Sequence, residues 1–322
     1  MSLTIARAHL ARLRHSDRLT TLLLIATIGL FWGGNWPAVR FILMDVPPFT
    51  LRAIGFSTGA LLLLGWARWR RLPLAVPAGE WPWLVATGLF TILGFNLATA
   101  FGQLRMPTSQ AAIIAFTMPC WALLLGWWLL GQRITRRQWL GLACGQAGLL
   151  LLLGPAALAG GTQGLAGPVI MLGAALSWAL GTVLIKKRGV WQSHALVITG
   201  WQFVICAVPM IVMMVITESP PPPASWQAST WLALGYHLLF SITLAQMLWF
   251  MNVNRLSVAQ ATVSTLIIPT VGVSSAILLL GEPPSARVLI ALLLTLTAVA
   301  IVMLKRREEH VPDTDDTASR RP

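Results

Sequence analysis

The sequence predicts an all-α integral membrane protein with ten transmembrane helices, arranged as two inverted repeats of five helices with both termini in the cytoplasm. Three observations support this prediction: the composition, the spacing of the apolar segments and an internal repeat. The chain has 322 residues, of which 56% are hydrophobic and only 10% are charged. Because a soluble domain carries about 25% charged residues, the composition excludes an ordinary soluble enzyme, a disulfide-rich secreted module and a disordered chain.

Ten apolar segments are long enough to cross a bilayer, since a hydrocarbon core of about 30 Å requires roughly 20 apolar residues in a helix. They lie at 19–42, 47–67, 81–103, 107–130, 136–154, 167–186, 193–216, 229–252, 258–280 and 285–304. Short polar or Pro/Gly breaks separate them, and the two longest connections, at 155–167 and 219–223, are expected to be loops. The predicted units are a basic N-terminal segment at 1–18, a first repeat at 19–154, a Gly-rich linker at 155–166, a second repeat at 167–304 and a charged tail at 305–322.

The positive charges test this count and orient the helices. With a cytoplasmic N-terminus, 19 of the 23 Lys and Arg residues fall in cytoplasmic segments, and the opposite side holds only Arg40, Arg52, Arg105 and Arg287. Cytoplasmic loops of membrane proteins are enriched in Lys and Arg, so this distribution favours ten helices in this orientation. The net charge of +13 therefore reflects topology. We expect the lipid bilayer as partner and not nucleic acid, in a multi-pass protein of a bacterial-type inner (plasma) membrane.

The two halves of the chain resemble each other when they are shifted by 150 residues. The aligned pairs include Trp81 with Trp231, Gln110 with Gln260, and Pro119 with Pro269. Because five is an odd number, the second repeat must enter the membrane from the side opposite to the first. Inverted repeats place a site between two similar bundles near the midplane, and exchange between their two shapes gives alternating access. The repeat therefore favours transport over simple anchoring.

Two further patterns point to a family. The first segment contains Phe31-Trp32-Gly33-Gly34-Asn35-Trp36-Pro37, and two later segments run from Pro119 to Gly131-Gln132 and from Pro269 to Gly281-Glu282. On these residues the chain resembles the drug/metabolite transporter superfamily, in its EamA-type ten-helix branch, over nearly its whole length. Within this branch it is similar to the YddG-type amino-acid exporters, and this resemblance implies outward movement of aromatic and other neutral amino acids. Gln132 departs from the pattern, in which Glu is common at this position.

Polar and aromatic side chains inside the spans are candidates for the substrate pathway. Neutral amides and hydroxyls can bind the ammonium and carboxylate of an amino acid, and Trp or Tyr can hold an apolar or cationic group. The alternative for each residue is hydrogen bonding between helices. The predicted pathway residues are Trp32, Asn35, Trp36, Asn96, Thr99, Gln103, Gln110, Trp178, Thr182, Tyr236, His237, Thr243, Gln246 and Gln260. Helical spacing predicts four shared faces: Trp32 with Asn35 and Trp36, Asn96 with Thr99 and Gln103, Trp178 with Thr182, and Tyr236 with Thr243 and Phe250.

Pro119 and Pro269 lie in the middle of their segments, twelve residues before Gly131 and Gly281. A proline inside a helix removes one backbone hydrogen bond and kinks the helix. The pair is predicted to form the hinges of two symmetric gates. A static kink needed for packing is the alternative.

The predicted function is secondary transport: export of small amphipathic metabolites, with neutral or aromatic amino acids as the expected substrates. Asp45, Glu80, Glu218 and Glu282 all lie near the ends of spans. The absence of a carboxylate within the spans disfavours proton antiport and cationic substrates. One alternative is a proton-coupled exporter of drugs or nucleobase-like compounds that uses His237, and another is a non-transporting membrane enzyme or receptor. The sequence indicates no catalytic residues, no metal site and no cofactor, and the expected state is a monomer.

Overall fold

The computed structural model describes residues 23–252 and 258–303, and within them the side chains of 155–163, 249–252 and 258–265 lie outside the description. Every regular element in the described ranges is a helix. The α-helices are α1 (23–33), α2 (Asn35–Asp45), α3 (Pro48–Trp69), α4 (Trp81–Gly88), α5 (Phe95–Gln103), α6 (Thr108–Ala115), α7 (Met118–Leu130), α8 (Arg136–Arg188), α9 (Ala195–Thr217), α10 (Ala228–Tyr236), α11 (Ala245–Asn252), α12 (Val258–Leu280) and α13 (Ala286–Met303). Two π-helices, π1 (Leu89–Gly94) and π2 (His237–Leu244), and two short 3₁₀ turns, Ala78–Glu80 and Pro223–Ser225, complete the set.

Seven helical stretches of the described chain are long and apolar enough to cross a membrane. The predicted class, a helical membrane protein, is thereby supported. The count of ten spans and the side on which each terminus lies stay predictions, and the segments at 1–18 and 305–322 lie outside the described residues.

Most helix ends fall where proline and glycine predict them. Helix α3 begins at Pro48, a residue that fits the first turn because its missing N–H would have no partner there. Helices α7 and α12 both stop at a glycine in the left-handed region, Gly131 with φ 64° and Gly281 with φ 67°. Glycine adopts this conformation without steric cost and ends a helix there. The equivalent ends in the two halves are therefore built in the same way.

The predicted loop at 155–167 is wrong, because the backbone continues as one helix from Arg136 to Arg188, 53 residues in all. The stretch at 155–166 contains three glycines and a proline, but half of it is Ala and Leu, the strongest helix formers. The part before it packs on α13, as at Gly148 beside Leu294, and the part after it packs on α5, as at Gly102 beside Met171.

Two predicted spans are interrupted. The first breaks at Gly34, between α1 and α2. The fourth breaks at Phe116 and Thr117, so Pro119 lies in the first turn of α7 instead of kinking a continuous helix. Pro269, in contrast, lies inside the uninterrupted α12. The two prolines are therefore not equivalent: the helix is interrupted just before Pro119 but runs on through Pro269. The role of the pair as gate hinges stays a prediction.

The third and eighth spans each change from α-helix to π-helix and back, at π1 and π2. A shift of 150 residues places π1 on the second part of π2, so the irregularity recurs in both halves. π-helical turns are rare and are frequent at functional sites. The helices α2 and α3 pack against π2, and α5 packs in turn against α2 and α3. These helices position the side chains described next.

Candidate substrate site

The first span lies directly against π2. A Cβ atom at Gly34 would be 2.5 Å from Tyr236 Oη, so only glycine allows this approach. The Phe31 carbonyl oxygen, near the end of α1, accepts hydrogen bonds from Tyr236 Oη at 3.2 Å and from Ser241 Oγ at 2.8 Å. Trp32 Nε1 donates in return to the Ser241 carbonyl oxygen at 3.2 Å. Side chains of the second half thus satisfy a carbonyl group next to the break in the first span.

A second contact between the halves joins Asn35, at the start of α2, to His237, at the start of π2. His237 is 3% exposed, and its Nδ1 lies 2.6 Å from Asn35 Oδ1. An amide oxygen can only accept, so Nδ1 donates and the imidazole Nε2 is left as an acceptor. Nε2 has no hydrogen-bond partner in the described part of the chain. It faces α3, where a Cβ at Gly55 would be 3.2 Å away.

Arg52, the fifth residue of α3, lies inside the bundle at 2% exposure. Its Nη2 donates to Thr99 Oγ1 of α5 at 3.3 Å, whereas its Nε finds no hydrogen-bond partner among the residues that the structure describes. The sequence predicts that Arg52 lies among the charges on the side of the membrane opposite to the cytoplasm. That expectation is wrong, because the side chain is buried inside the bundle. Arg52 and Gly55 are three residues apart on α3, so they share one side of this helix. The guanidinium of Arg52 and the ring of His237 therefore meet the same side of α3, where the two halves are in contact. We call this place, with Asn35 and Thr99, the Arg52–His237 junction.

The four acidic residues in the described ranges all bind the opposite half, three of them at the N-terminal ends of helices and Glu80 in the loop that leads into α9. Glu218 accepts from the backbone N–H groups of Phe49 and Thr50 at 2.9 and 2.7 Å. Glu282 accepts from those of Thr108 and Ser109 at 2.5 and 2.9 Å. Carboxylates are favourable at these positions because the helix N-terminus carries unpaired donors and partial positive charge.

The other two carboxylates, from the first half, bind the second half. Glu80 accepts from the Gln192 N–H at 2.7 Å and the Ser193 hydroxyl at 2.7 Å, and pairs with Arg188 at 3.3 Å. Asp45 accepts from the Thr230 hydroxyl at 2.6 Å and the Gln227 N–H at 2.8 Å. These hydrogen bonds hold the pKa of Asp45 below its usual range.

Three predicted pathway residues bond within their own helices. Asn96 Nδ2 donates to the Ile92 carbonyl oxygen at 2.9 Å, and the hydroxyls of Thr182 and Thr243 donate to carbonyl oxygens four and five residues earlier. Thr182 is exposed, and Asn96 and Thr243 are half-buried. None of the three polar groups contacts the Arg52–His237 junction through a hydrogen bond that the structure describes.

The predicted shared faces hold in part. Trp32 and Asn35 both contact π2, but Trp36 packs instead on Phe116, with ring centres 6.2 Å apart. Thr99 and Gln103 are both buried on α5. Tyr236 directly precedes π2 and Thr243 lies within it, so the α-helical spacing on which their shared face was predicted does not apply there. The side chain of Phe250, the third member of that face, lies outside the description.

The remaining candidates have different surroundings. The side-chain oxygen Oε1 of Gln103 accepts from Thr108 Oγ1 at 3.4 Å. The main-chain carbonyl oxygen of Gln103 accepts from Arg40 Nη1 at 2.6 Å. Trp178 packs edge-on against Phe95 at 4.9 Å. Gln110 and Gln246 are half-buried on α6 and α11, whereas Gln260 and Phe250 belong to the positions whose side chains lie outside the description.

The sequence argument missed Arg52, although a signal was available. The residue lies inside the apolar segment predicted at 47–67. An ionisable residue within a span is costly and marks a functional site by default. Counting Arg52 as a flanking charge removed it from consideration.

Known proteins resemble this chain over most of its length. The EamA-like transporter family matches the chain twice, over residues 19–154 and 165–304. The uncharacterized transporter YvbV of Bacillus subtilis is 29% identical over 90% of this chain and 93% of its own length. A Salmonella typhimurium protein named "Probable amino-acid metabolite efflux pump" is 24% identical over 78% and 84%, and the uncharacterized inner membrane transporter YedA of Escherichia coli is 26% identical over 85% and 88%.

A solved crystal structure has the same fold. It superposes with a TM-score of 0.63 at 22% identity, over 88% of this chain and 96% of that one.

Proposed function

Because this chain belongs to the EamA-like transporter family, we propose that it exports small amphipathic metabolites, with neutral or aromatic amino acids as substrates. It acts as a secondary transporter of a bacterial-type inner membrane. The two halves are inverted repeats, ten helices in all, and exchange between two shapes exposes a shared site to each side in turn. Among its relatives, one named as an amino-acid metabolite efflux pump supports the choice of substrate.

The observation that carries this proposal is the polar junction between the halves. Asn35 and Arg52 come from the first half and His237 from the second, and all three lie among apolar helices. Polar groups that converge inside a membrane bundle are expensive and typical of a substrate path. A site shared by both halves is also the place that alternating access must expose.

Transport by the purified full chain in liposomes tests the proposal. Liposomes loaded with unlabelled phenylalanine should accumulate labelled phenylalanine by counterflow, without ATP. Asn35→Ala should reduce the rate about tenfold or more, since it leaves His237 Nδ1 without its partner. Ser275→Ala is the control, because this half-buried hydroxyl bonds only within α12. No counterflow of any neutral or aromatic amino acid by the wild-type protein would refute the proposed substrates.

The same liposomes distinguish a downhill carrier from the proton-coupled alternative. A downhill carrier moves substrate without a pH gradient. Rates that depend on a pH gradient, and a dependence that disappears in His237→Ala, would favour the exporter of drugs or nucleobase-like compounds. The four described carboxylates give no support to that alternative, because none of them lies at the junction.

A further inference from the structure

Arg52 is a buried cation without a counter-ion in the described part of the chain. The one ion pair in that part joins Arg188 to Glu80. A charged group removed from water is strongly destabilising unless it is paired and hydrogen-bonded. Among the described residues, Arg52 has only the Thr99 hydroxyl, and its Nε–H is unsatisfied.

The acidic residues cannot supply the missing partner where they stand. All four in the described ranges bind the opposite half, and Glu218, at the start of α3 itself, is engaged by the backbone N–H groups of Phe49 and Thr50. Arg52 also lies in the N-terminal part of α3, where the helix dipole is unfavourable for a cation. The site therefore needs a negative charge that the described side chains do not provide.

The guanidinium group is suited to a carboxylate. It presents several N–H donors in a planar fork that matches the two oxygens of a carboxylate. His237 Nε2 faces the same helix, α3, and has no hydrogen-bond partner among the described residues. With Nδ1 donating to Asn35, the neutral form of the ring presents Nε2 as an acceptor, which is the opposite function. An ammonium group is a donor without acceptor capacity and would satisfy this atom.

We propose that Arg52 and His237 are the recognition pair of the transport site: Arg52 binds the carboxylate of the substrate, and His237 Nε2 accepts a hydrogen bond from its ammonium group. The pair selects α-amino acids and rejects amines that lack a carboxylate. This inference rests on the proposed function and narrows it, because amphipathic amines are excluded as substrates. Thr99 is a positioning residue that holds the guanidinium.

Binding of three related ligands to the full chain in detergent tests the pair. Tryptophan carries both groups, tryptamine lacks the carboxylate, and indole-3-propionate lacks the ammonium. With radiolabelled ligands, tryptamine should bind the wild-type protein at least about tenfold more weakly than tryptophan. Arg52→Gln should bring this ratio close to one. Arg105→Gln is the control, since Arg105 is an exposed arginine that contacts Phe101, and it should leave the ratio unchanged.

His237→Ala provides the second arm. It should weaken tryptophan and tryptamine but not indole-3-propionate. Equal binding of tryptophan and tryptamine by the wild-type protein overturns the proposal, and that measurement does not depend on any variant folding. A ratio in Arg52→Gln as large as in the wild type overturns the role of Arg52, and an equal loss of all three ligands in His237→Ala overturns that of His237.

Flux measurements distinguish this inference from the proposed function. Liposomes that move tryptamine as fast as tryptophan would leave a transporter in place and overturn the recognition pair. Carboxylate-dependent binding that Arg52→Gln abolishes, in a protein that moves no amino acid, would support the pair and refute the transport function.

Discussion

At the residue scale, the junction depends on which polar atoms have partners. Thr99 Oγ1 accepts from Arg52 at 3.3 Å and donates to the Asn96 carbonyl oxygen at 2.8 Å. Thr99 was predicted to lie in the pathway because of its helical spacing with Asn96 and Gln103. The partner of Thr99, Arg52, could not be predicted from helical spacing, because the sequence does not show how α3 is positioned along α5. The identity of polar residues is visible in the sequence, but their pairing depends on the packing of distant segments.

Thr99→Val should lower the stability of the ligand-free protein. The methyl group keeps the shape of the side chain but removes the one acceptor that the described residues offer the buried guanidinium, and an unsatisfied buried group costs about 1–3 kcal/mol. Thermal unfolding in detergent measures the effect. Thr99→Ser keeps the hydroxyl and should unfold close to the wild-type temperature. A Val variant as stable as the wild type would show that this hydrogen bond contributes nothing to stability.

At the element scale, the sequence predicts the ends of helices better than their interruptions. The segment predicted at 193–216 is observed as Ala195–Thr217, and the one predicted at 258–280 ends at Leu280. Local chemistry sets these ends through apolar length, Pro and Gly. The π-helices have no such local signal, and at 155–166 the Gly and Pro residues that predict a loop compete with an equal local signal for helix from Ala and Leu. Segments that are apolar on every side show no clear periodicity, so neighbouring helices decide these irregularities.

The capping carboxylates also act at the element scale. Glu218→Ala should destabilise the start of α3, because it removes acceptors from two backbone N–H groups and the Thr50 hydroxyl. Loss of a helix cap costs typically about 1 kcal/mol, and loss of a favourable charge adds to it. The midpoint of thermal unfolding should fall accordingly.

Thr217→Ala is the matched control for this change. It is the exposed neighbour of Glu218, and its hydroxyl bonds only to the Met213 carbonyl oxygen of its own helix. Its unfolding midpoint should stay near the wild-type value. Equal midpoints for Glu218→Ala and Thr217→Ala would mean that the carboxylate does not hold the two halves together.

At the scale of the whole molecule, the carboxylates connect the halves in both directions. Carboxylates of the first half, Asp45 and Glu80, bind the second half, and Glu218 and Glu282 bind helix starts of the first. In the predicted topology, each of these contacts joins the ends of two spans on the same side of the membrane. Three lie on the predicted outer side and one, at Glu80, on the inner side. In that topology, opening the outer side would break three of these four contacts and opening the inner side would break one.

Equivalent residues of two inverted repeats must lie on opposite sides of the membrane. Ala78 and Ala228 are 150 residues apart, both are exposed, and each begins the helical part of its span. We expect a membrane-impermeant maleimide to label Ala228→Cys in intact cells and Ala78→Cys only after the cells are permeabilised. The background should lack Cys120, Cys144 and Cys206. Labelling of both positions from the same side would exclude inverted repeats, and alternating access between two symmetric shapes would lose its structural basis.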